Sequence, residues 1–265
     1  MFKQLTDKWK KFSGFVEPSI PNPRNSDIYL VSYPKSGNTW LRYLLAYAIW
    51  PDITAPDLEE MAGLIPSYGL ETDNRLMRDP GSPCNKLKHR IIKEHFPYNK
   101  VAKRYVKKAI YLCRDGRDAI VSYWYFINQV RGANIPFNDF IRESATHPYG
   151  PWHDHVQHWI SAPVNKLVIR YEDMLENPAA ILKKVLVFAN QERDKSVINQ
   201  AVERSSFPSL KDIEKNKGFK LGMLKNVDFV RKGKAESWKE IFDAESMRLF
   251  KEYHGAGIDS LNYRW

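Results

Sequence analysis

The most constraining stretch of the chain is a strand that runs directly into a helix. Residues 27–33, Asp27-Ile28-Tyr29-Leu30-Val31-Ser32-Tyr33, form a near-continuous apolar run, the pattern of a strand covered on both faces. A Pro-Lys-Ser-Gly turn follows, and residues 39–47 read as a helix stopped by Pro51. Residues 90–93, 108–113 and 166–170 read as further short strands. Helical runs begin near Asp115, occupy 152–160, and start again at Asn177-Pro178, where Asn caps and Pro suits the first helical position. Strands alternating with helices predict an α/β fold: a central parallel sheet flanked by helices on both faces. Residues 1–265 are expected to form a single domain. In such sheets ligands bind outside the carboxyl ends of the strands. Residues 52–90 hold Pro56, Pro66, Pro80 and Pro83 and few regular signals, as in a lid or binding loop.

Charge narrows the choice of partner. Lys and Arg number 41 against 31 Asp and Glu, a net +10. That excess favours an anionic partner: nucleic acid, a membrane surface or a phosphorylated ligand. Two cysteines, Cys84 and Cys113, are too few for an extracellular disulfide framework, so a cytoplasmic location is expected. No segment approaches the ~18 apolar residues of a membrane span. The first ten residues lack the apolar core of a secretory signal. They suit a helix packed on the domain, with a basic amphipathic helix at a membrane surface as the alternative.

Four segments carry chemistry. Tyr33-Pro34-Lys35-Ser36-Gly37-Asn38-Thr39-Trp40 lies between the first strand and the first helix. Its Gly lets backbone approach an oxyanion, and the helix start adds unpaired N–H groups and a positive dipole end. Lys35 precedes a single Gly, so this is no Walker A loop. Read alone, it serves a phosphate or an ordinary turn equally well. Arg114-Asp115-Gly116-Arg117-Asp118 ends a strand and opens a helix, with Ser122 two turns in. Arg114 suits a bidentate phosphate contact, or a surface ion pair with Asp118. Arg231-Lys232-Gly233 is a basic cluster or a solvated loop. Lys93-Glu94-His95 puts Lys93 and His95 on one face of a strand and Glu94 on the other; His is the side chain best suited to take a proton near neutral pH. His153, His155 and His158 invite a metal reading, but helical spacing sets His153 well around from the other two.

These segments, in their order along the chain, resemble the cytosolic sulfotransferase family. Residues 33–40 resemble its 5′-phosphosulfate loop, Tyr-Pro-Lys-Ser-Gly-Thr-Thr-Trp, with Asn38 in place of a Thr. Arg114, Asp118 and Ser122 occupy its 3′-phosphate motif. Phe229-Val230-Arg231-Lys232-Gly233 resembles the segment that covers the cofactor, although Glu236-Ser237 stands where the family has Gly-Asp before Trp-Lys. Lys93-Glu94-His95 matches Lys-Thr-His, and Ser205-Ser206-Phe207 matches Thr-Ser-Phe. Tyr149-Gly150-Pro151-Trp152 with His155-Val156 reproduces a further family segment.

The resemblance implies a nucleotide-kinase-like sulfotransferase fold and transfer of sulfonate from 3′-phosphoadenosine 5′-phosphosulfate (PAPS) to a hydroxyl or amine of a small-molecule acceptor, leaving PAP. It implies His95 as general base, with Lys35 and Lys93 neutralising charge. Lys35, Ser36, Gly37, Asn38, Thr39, Trp40, Arg114, Ser122, Tyr171, Ser206, Phe207, Phe229, Arg231, Lys232 and Gly233 are implied as cofactor contacts, with Trp40 and Phe207 on either side of the adenine and Tyr171 near it. It requires no metal and no nucleic acid. The family's C-terminal dimer motif is absent after Trp238, so that dimer is not expected. The chain is shorter than typical animal members and looks more like bacterial ones, whose acceptors are small metabolites and natural products. Tyr68, Phe96, Trp124, Phe126, Phe137 and Tyr149 are expected near the acceptor. A kinase would need a Walker A loop and Mg²⁺-binding carboxylates; a polyanion-binding domain would have no need of His95.

Overall fold

The computed structural model describes residues 22–68, 71–98, 105–217, 231–255, 261 and 263. Strand β1 is Ile28–Ser32, and helix α1, Asn38–Ile49, follows the turn. Where no regular structure is expected, three short helices form: α2 Leu58–Leu64, α3 Glu71–Arg78 and α4 Pro83–Lys86. The prolines obscured a helix start at Asp57, whose carboxylate accepts from the Glu59 and Glu60 N–H groups while Glu60 accepts from Asp57 N–H, a capping box. Then come β2 Ile91–Glu94, β3 Lys108–Cys113, α5 Gly116–Arg131, α6 Phe137–Ser144, α7 Trp152–Ile160 and β4 Asn165–Arg170. Helices α8 Tyr171–Glu176, α9 Pro178–Phe188, α10 Lys195–Arg204 and α11 Phe207–Lys217 precede a 3₁₀ turn at Ser237–Glu240 and α12 Ala244–His254.

The sheet has four parallel strands in the order β2-β1-β3-β4. Side chains alternate between two cores. Ile28, Leu30, Ile110 and Leu112 pack with Leu44 and Leu45 of α1 and Leu182 and Val185 of α9. Tyr29, Val31, Tyr111 and Cys113 pack with Ile120 of α5 and with Trp152 and Trp159 of α7. The near-continuous apolar strands follow from this, since both faces are buried. Arg90 and Asp27 close the far end of the sheet with a buried ion pair at 2.7 Å.

Strand order fixes the position of the site. From β1 the chain moves out to β2 and then crosses to β3 on the other side of β1. Helix α1 therefore covers one face and α5 the other, leaving a crevice beyond the carboxyl ends of β1 and β3. Lys35–Gly37 numbering places the phosphate-loop turn there, and Arg114 follows β3 directly. Strand β2 delivers Lys93 and His95 to the same edge, and β4 delivers Tyr171. Among the described residues no helix is long and apolar enough to cross a membrane.

Candidate active site

The turn after β1 is built around missing side chains and strained backbone. Gly37 has φ 99°, and a Cβ there would lie 2.5 Å from the Tyr171 ring. Lys35 also takes the left-handed conformation, at φ 64°, a strain that needs outside support. Arg114 supplies it: Nη1 donates to the Lys35 carbonyl at 3.2 Å, while Nη2 donates to the Lys234 carbonyl at 3.1 Å. The guanidinium lies 4.4 Å from the Tyr171 ring centre. Arg114 thus ties the phosphate loop to the C-terminal segment. Helix α1 has no side-chain cap, so its first N–H groups are free to meet an anion.

Cations converge on this loop. The Lys35 ammonium sits over the Phe126 ring at 4.6 Å and the Arg231 guanidinium over Tyr125, also at 4.6 Å. Burial, then Arg114, Arg231 and Lys93, hold the Lys35 ammonium down to about 7. Burial and Arg114 likewise lower Arg231. Mutual repulsion of this kind is relieved by an anion. The leftover atoms are of matching type: Ser36 Oγ, Arg114 Nε and Arg231 Nε are buried with no hydrogen-bond partner among the described residues. Buried orphan donors are costly unless a ligand completes them.

The C-terminal segment is pinned by Asp118. Its carboxylate accepts from Glu236 N–H at 2.8 Å, and from Ser237 Oγ and Trp238 N–H at 2.9 Å each. Arg114 is 3.5 Å away, so docking the segment, not a surface ion pair, is the main work of Asp118. Gly233 takes φ 62°, and a Cβ there would meet Phe207 at 2.4 Å. Phe207 itself is 39% exposed, an aromatic face open for stacking. Trp40 meets Tyr171 edge to face at 5.9 Å. Ser122 is buried on α5; Ser206 Oγ is 2.7 Å from Ser209 Oγ. Lys232 is exposed and ion-paired with Glu240. Phe229 lies outside the described residues.

His95 occupies the other side of the crevice. Its Nδ1 is 2.8 Å from the Ser32 carbonyl. A carbonyl only accepts, so Nδ1 carries the proton and Nε2 holds the lone pair. Burial, then the Lys93 charge, hold the imidazole well below its usual range, which keeps it neutral and ready to accept. Its backbone is fixed at both ends: the His95 and Phe96 N–H groups donate to Glu94 Oε1 at 2.6 and 2.7 Å, and His155 Nε2 lies 3.0 Å from the His95 carbonyl. The other His155 nitrogen lies 3.0 Å from Tyr111 Oη. With both nitrogens engaged, His155 has none left for a metal. Lys93 is half-buried and its charge is felt by His95, and burial, then Arg42, lower it to about 8.

Residues 25–259 match the sulfotransferase domain family. The chain belongs to that family. It is a PAPS-dependent sulfotransferase with the P-loop-like fold of its relatives. It is 32% identical to the flavonol 3-sulfotransferase of Flaveria bidentis, over 87% of this chain and 82% of that one. It is 27% identical to sulfotransferase 1 family member D1 of Mus musculus, over 95% and 88%. The crystal structure of a mouse sulfotransferase complexed with PAP superposes with a TM-score of 0.66 at 25% identity, over 87% of this chain and 85% of that one.

Several residues of the sulfotransferase site escape motif reading. Tyr125 lies beneath Arg231, and Phe126, expected near the acceptor, lies beneath Lys35; the run of four aromatics after Ser122 was the available signal for Tyr125. Ser32 sets the His95 tautomer across 63 residues of sequence. Glu94, expected to point away by alternation, grips the His95 backbone. Of the expected acceptor aromatics, Tyr149 is 6.0 Å from the His95 ring and 5.6 Å from Phe96. Trp124 and Phe137 pair at 5.2 Å.

Proposed function

We propose that His95 is the general base of this sulfotransferase and that Lys35, Ser36, Gly37, Thr39, Arg114, Ser122, Arg231, Lys232 and Gly233, with the α1 N-terminus, hold the donor. Trp40, Tyr171, Ser206 and Phe207 serve its adenosine, and the acceptor is a small molecule with an aromatic or apolar body. The carrying observation is the His95 geometry: Nδ1–H bound to the Ser32 carbonyl at 2.8 Å, with Nε2 left as the basic atom. The donor, when bound, supplies an activated sulfonate. His95 Nε2 takes the acceptor's proton as its oxygen or nitrogen bonds to sulfur. Lys35 and Lys93 offset the negative charge that builds up on the transferring group and leaving oxygen, as positioned cations do in phosphoryl transfer. Orphaned Ser36 Oγ, Arg114 Nε and Arg231 Nε support an anionic occupant, and the net charge of +10 suits it without nucleic acid. Tyr149 beside His95 supports an aromatic-walled acceptor site. A cytoplasmic location is supported by Cys84 and Cys113, both buried and unpaired.

The test is His95→Ala with calorimetry alongside turnover. We expect kcat to fall by about 10²–10⁴ with PAP affinity nearly unchanged. Full turnover in the variant would remove His95 from the base role. Preference of the wild type for ATP–Mg²⁺ over PAP would overturn the donor assignment.

A further inference from the structure

The phosphate loop and the base are joined by a hydrogen-bonded path that neither motif reveals. Asn38 opens α1, one residue past Gly37. Its carboxamide is committed to β1: Nδ2 donates to Ser32 Oγ at 3.1 Å and, more weakly, to the Leu30 carbonyl at 3.4 Å. Ser32 in turn presents two oxygens to His95 Nδ1, its carbonyl at 2.8 Å and its hydroxyl at 3.4 Å. All of Asn38 and Ser32 is buried, so water is a poor substitute for a lost bond.

We propose that Asn38 is a positioning residue for His95 and not a side-chain ligand of the donor. The inference rests on reading His95 as the base. Nδ2 has only protons to give, so Ser32 Oγ accepts from it and the Ser32 side chain is held in one rotamer. That rotamer keeps the Ser32 hydroxyl on the Nδ1 side of the imidazole, beside the main-chain carbonyl that sets the tautomer, and so restrains the ring plane. The direction of the Nε2 lone pair follows from tautomer and ring plane. A Thr at position 38 would carry its hydroxyl one bond nearer the backbone than Nδ2, shortening its reach to Ser32. The Asn38 backbone N–H, in the first turn of α1, remains available to the donor.

The experiment compares Asn38→Ala, Asn38→Thr, Ser32→Ala and the Asn38→Ala/Ser32→Ala double variant. PAP affinity is read by calorimetry, kcat and KM by turnover, and the His95 tautomer by ¹⁵N NMR of the free protein. Expected for each single variant is a fall in kcat of about 10-fold, with the PAP Kd within about 2-fold, the Nδ1–H tautomer kept by the Ser32 carbonyl, and the ¹⁵N signals of the His95 ring broadened as the ring plane loosens. The double variant should fall no further than the worse single, because both break one path. Loss of PAP affinity in step with kcat would return Asn38 to the phosphate. Ring signals as sharp as those of the wild type, or additive losses, would also overturn the path. Ser32→Ala and Asn38→Thr keep the test informative if Asn38→Ala fails to fold. Retained turnover in His95→Ala would instead defeat the base assignment, while the NMR signals of the His95 ring in the other variants would still report on the path.

Discussion

The two sides of the crevice leave opposite kinds of atom unpaired. On the donor side the buried orphans carry protons: Ser36 Oγ, Arg114 Nε and Arg231 Nε. Among the supports of His95 they are oxygens: Asn38 Oδ1 and Glu94 Oε2. Donors in a field of converging cations need an anion to complete them. Acceptor oxygens are not completed by an anion, and the other Glu94 oxygen already takes the His95 and Phe96 N–H groups. One side is built to be finished by a ligand, and the other is largely finished by its own chain.

The largest expected effect breaks the donor side alone. Gly37→Ala puts a methyl 2.5 Å from the Tyr171 ring at a backbone φ of 99°. The left-handed conformation alone costs a non-glycine about 1–2 kcal/mol, and relief of the clash must move either the loop or Tyr171. PAP affinity should fall at least ~10-fold, while the His95 tautomer stays as it is in the wild type. Equal disturbance of both readouts would show that the two sides are not separable.

Proton linkage gives a smaller, sharper test. Burial, then neighbouring cations, hold Lys35 at about 7 and Lys93 at about 8. Around pH 8 the free Lys35 is mostly neutral, and a bound polyanion restores its charge. Binding of PAP should therefore take up close to one proton near pH 8, an uptake that falls away and turns to release towards pH 6, where Lys35 is already charged and the phosphates of PAP lose their own protons to the cationic site. Calorimetry in buffers of different ionisation enthalpy measures the uptake. Lys35→Met should remove most of it. Uptake that is flat with pH would mean the cations are not mutually strained before the donor arrives.

The donor side was also the more legible in sequence. Its parts are short and contiguous: a Lys-Ser-Gly turn after a strand, an Arg at a strand end, an Arg-Lys-Gly cluster. Each works through charge or through a glycine conformation, properties a residue carries with it. Strands β1 and β3 were legible for a similar reason, since burial on both faces leaves unbroken apolar runs; the edge strands β2 and β4 carry charged residues, and β4 is part-exposed. The supports of His95 act through hydrogen bonds between distant segments: Ser32 to His95 and His155 to His95 span 63 and 60 residues. Nothing local in Ser32, Glu94 or His155 marks such a partner. Lys232 shows the limit on the donor side as well, because its pairing with Glu240 depends on how the chain turns after it. Asp118 is read locally as a partner for Arg114, four residues away, yet its shorter bonds reach 236–238.

That turn supplies the smallest effect and a direct check on how rigid the donor side is. Glu236 sits at φ 59°, in the conformation that suits the glycine found at this place in the family's segment. Its N–H donates to Asp118 at 2.8 Å, so the conformation is needed to dock the segment carrying Arg231. Its side chain offers only an exposed pairing with Lys239, worth little. Glu236→Gly removes the left-handed penalty of about 1–2 kcal/mol but adds roughly 0.4–1 kcal/mol of unfolded-state freedom. The net is a gain of roughly 0–1.6 kcal/mol in stability, read as a small rise in Tm, with PAP affinity equal or slightly better because the docked turn is populated more fully. A fall in Tm would mean that the Glu236 side chain supports the turn. A rise in Tm with weaker PAP binding would mean that the donor side needs this turn to be strained in order to open.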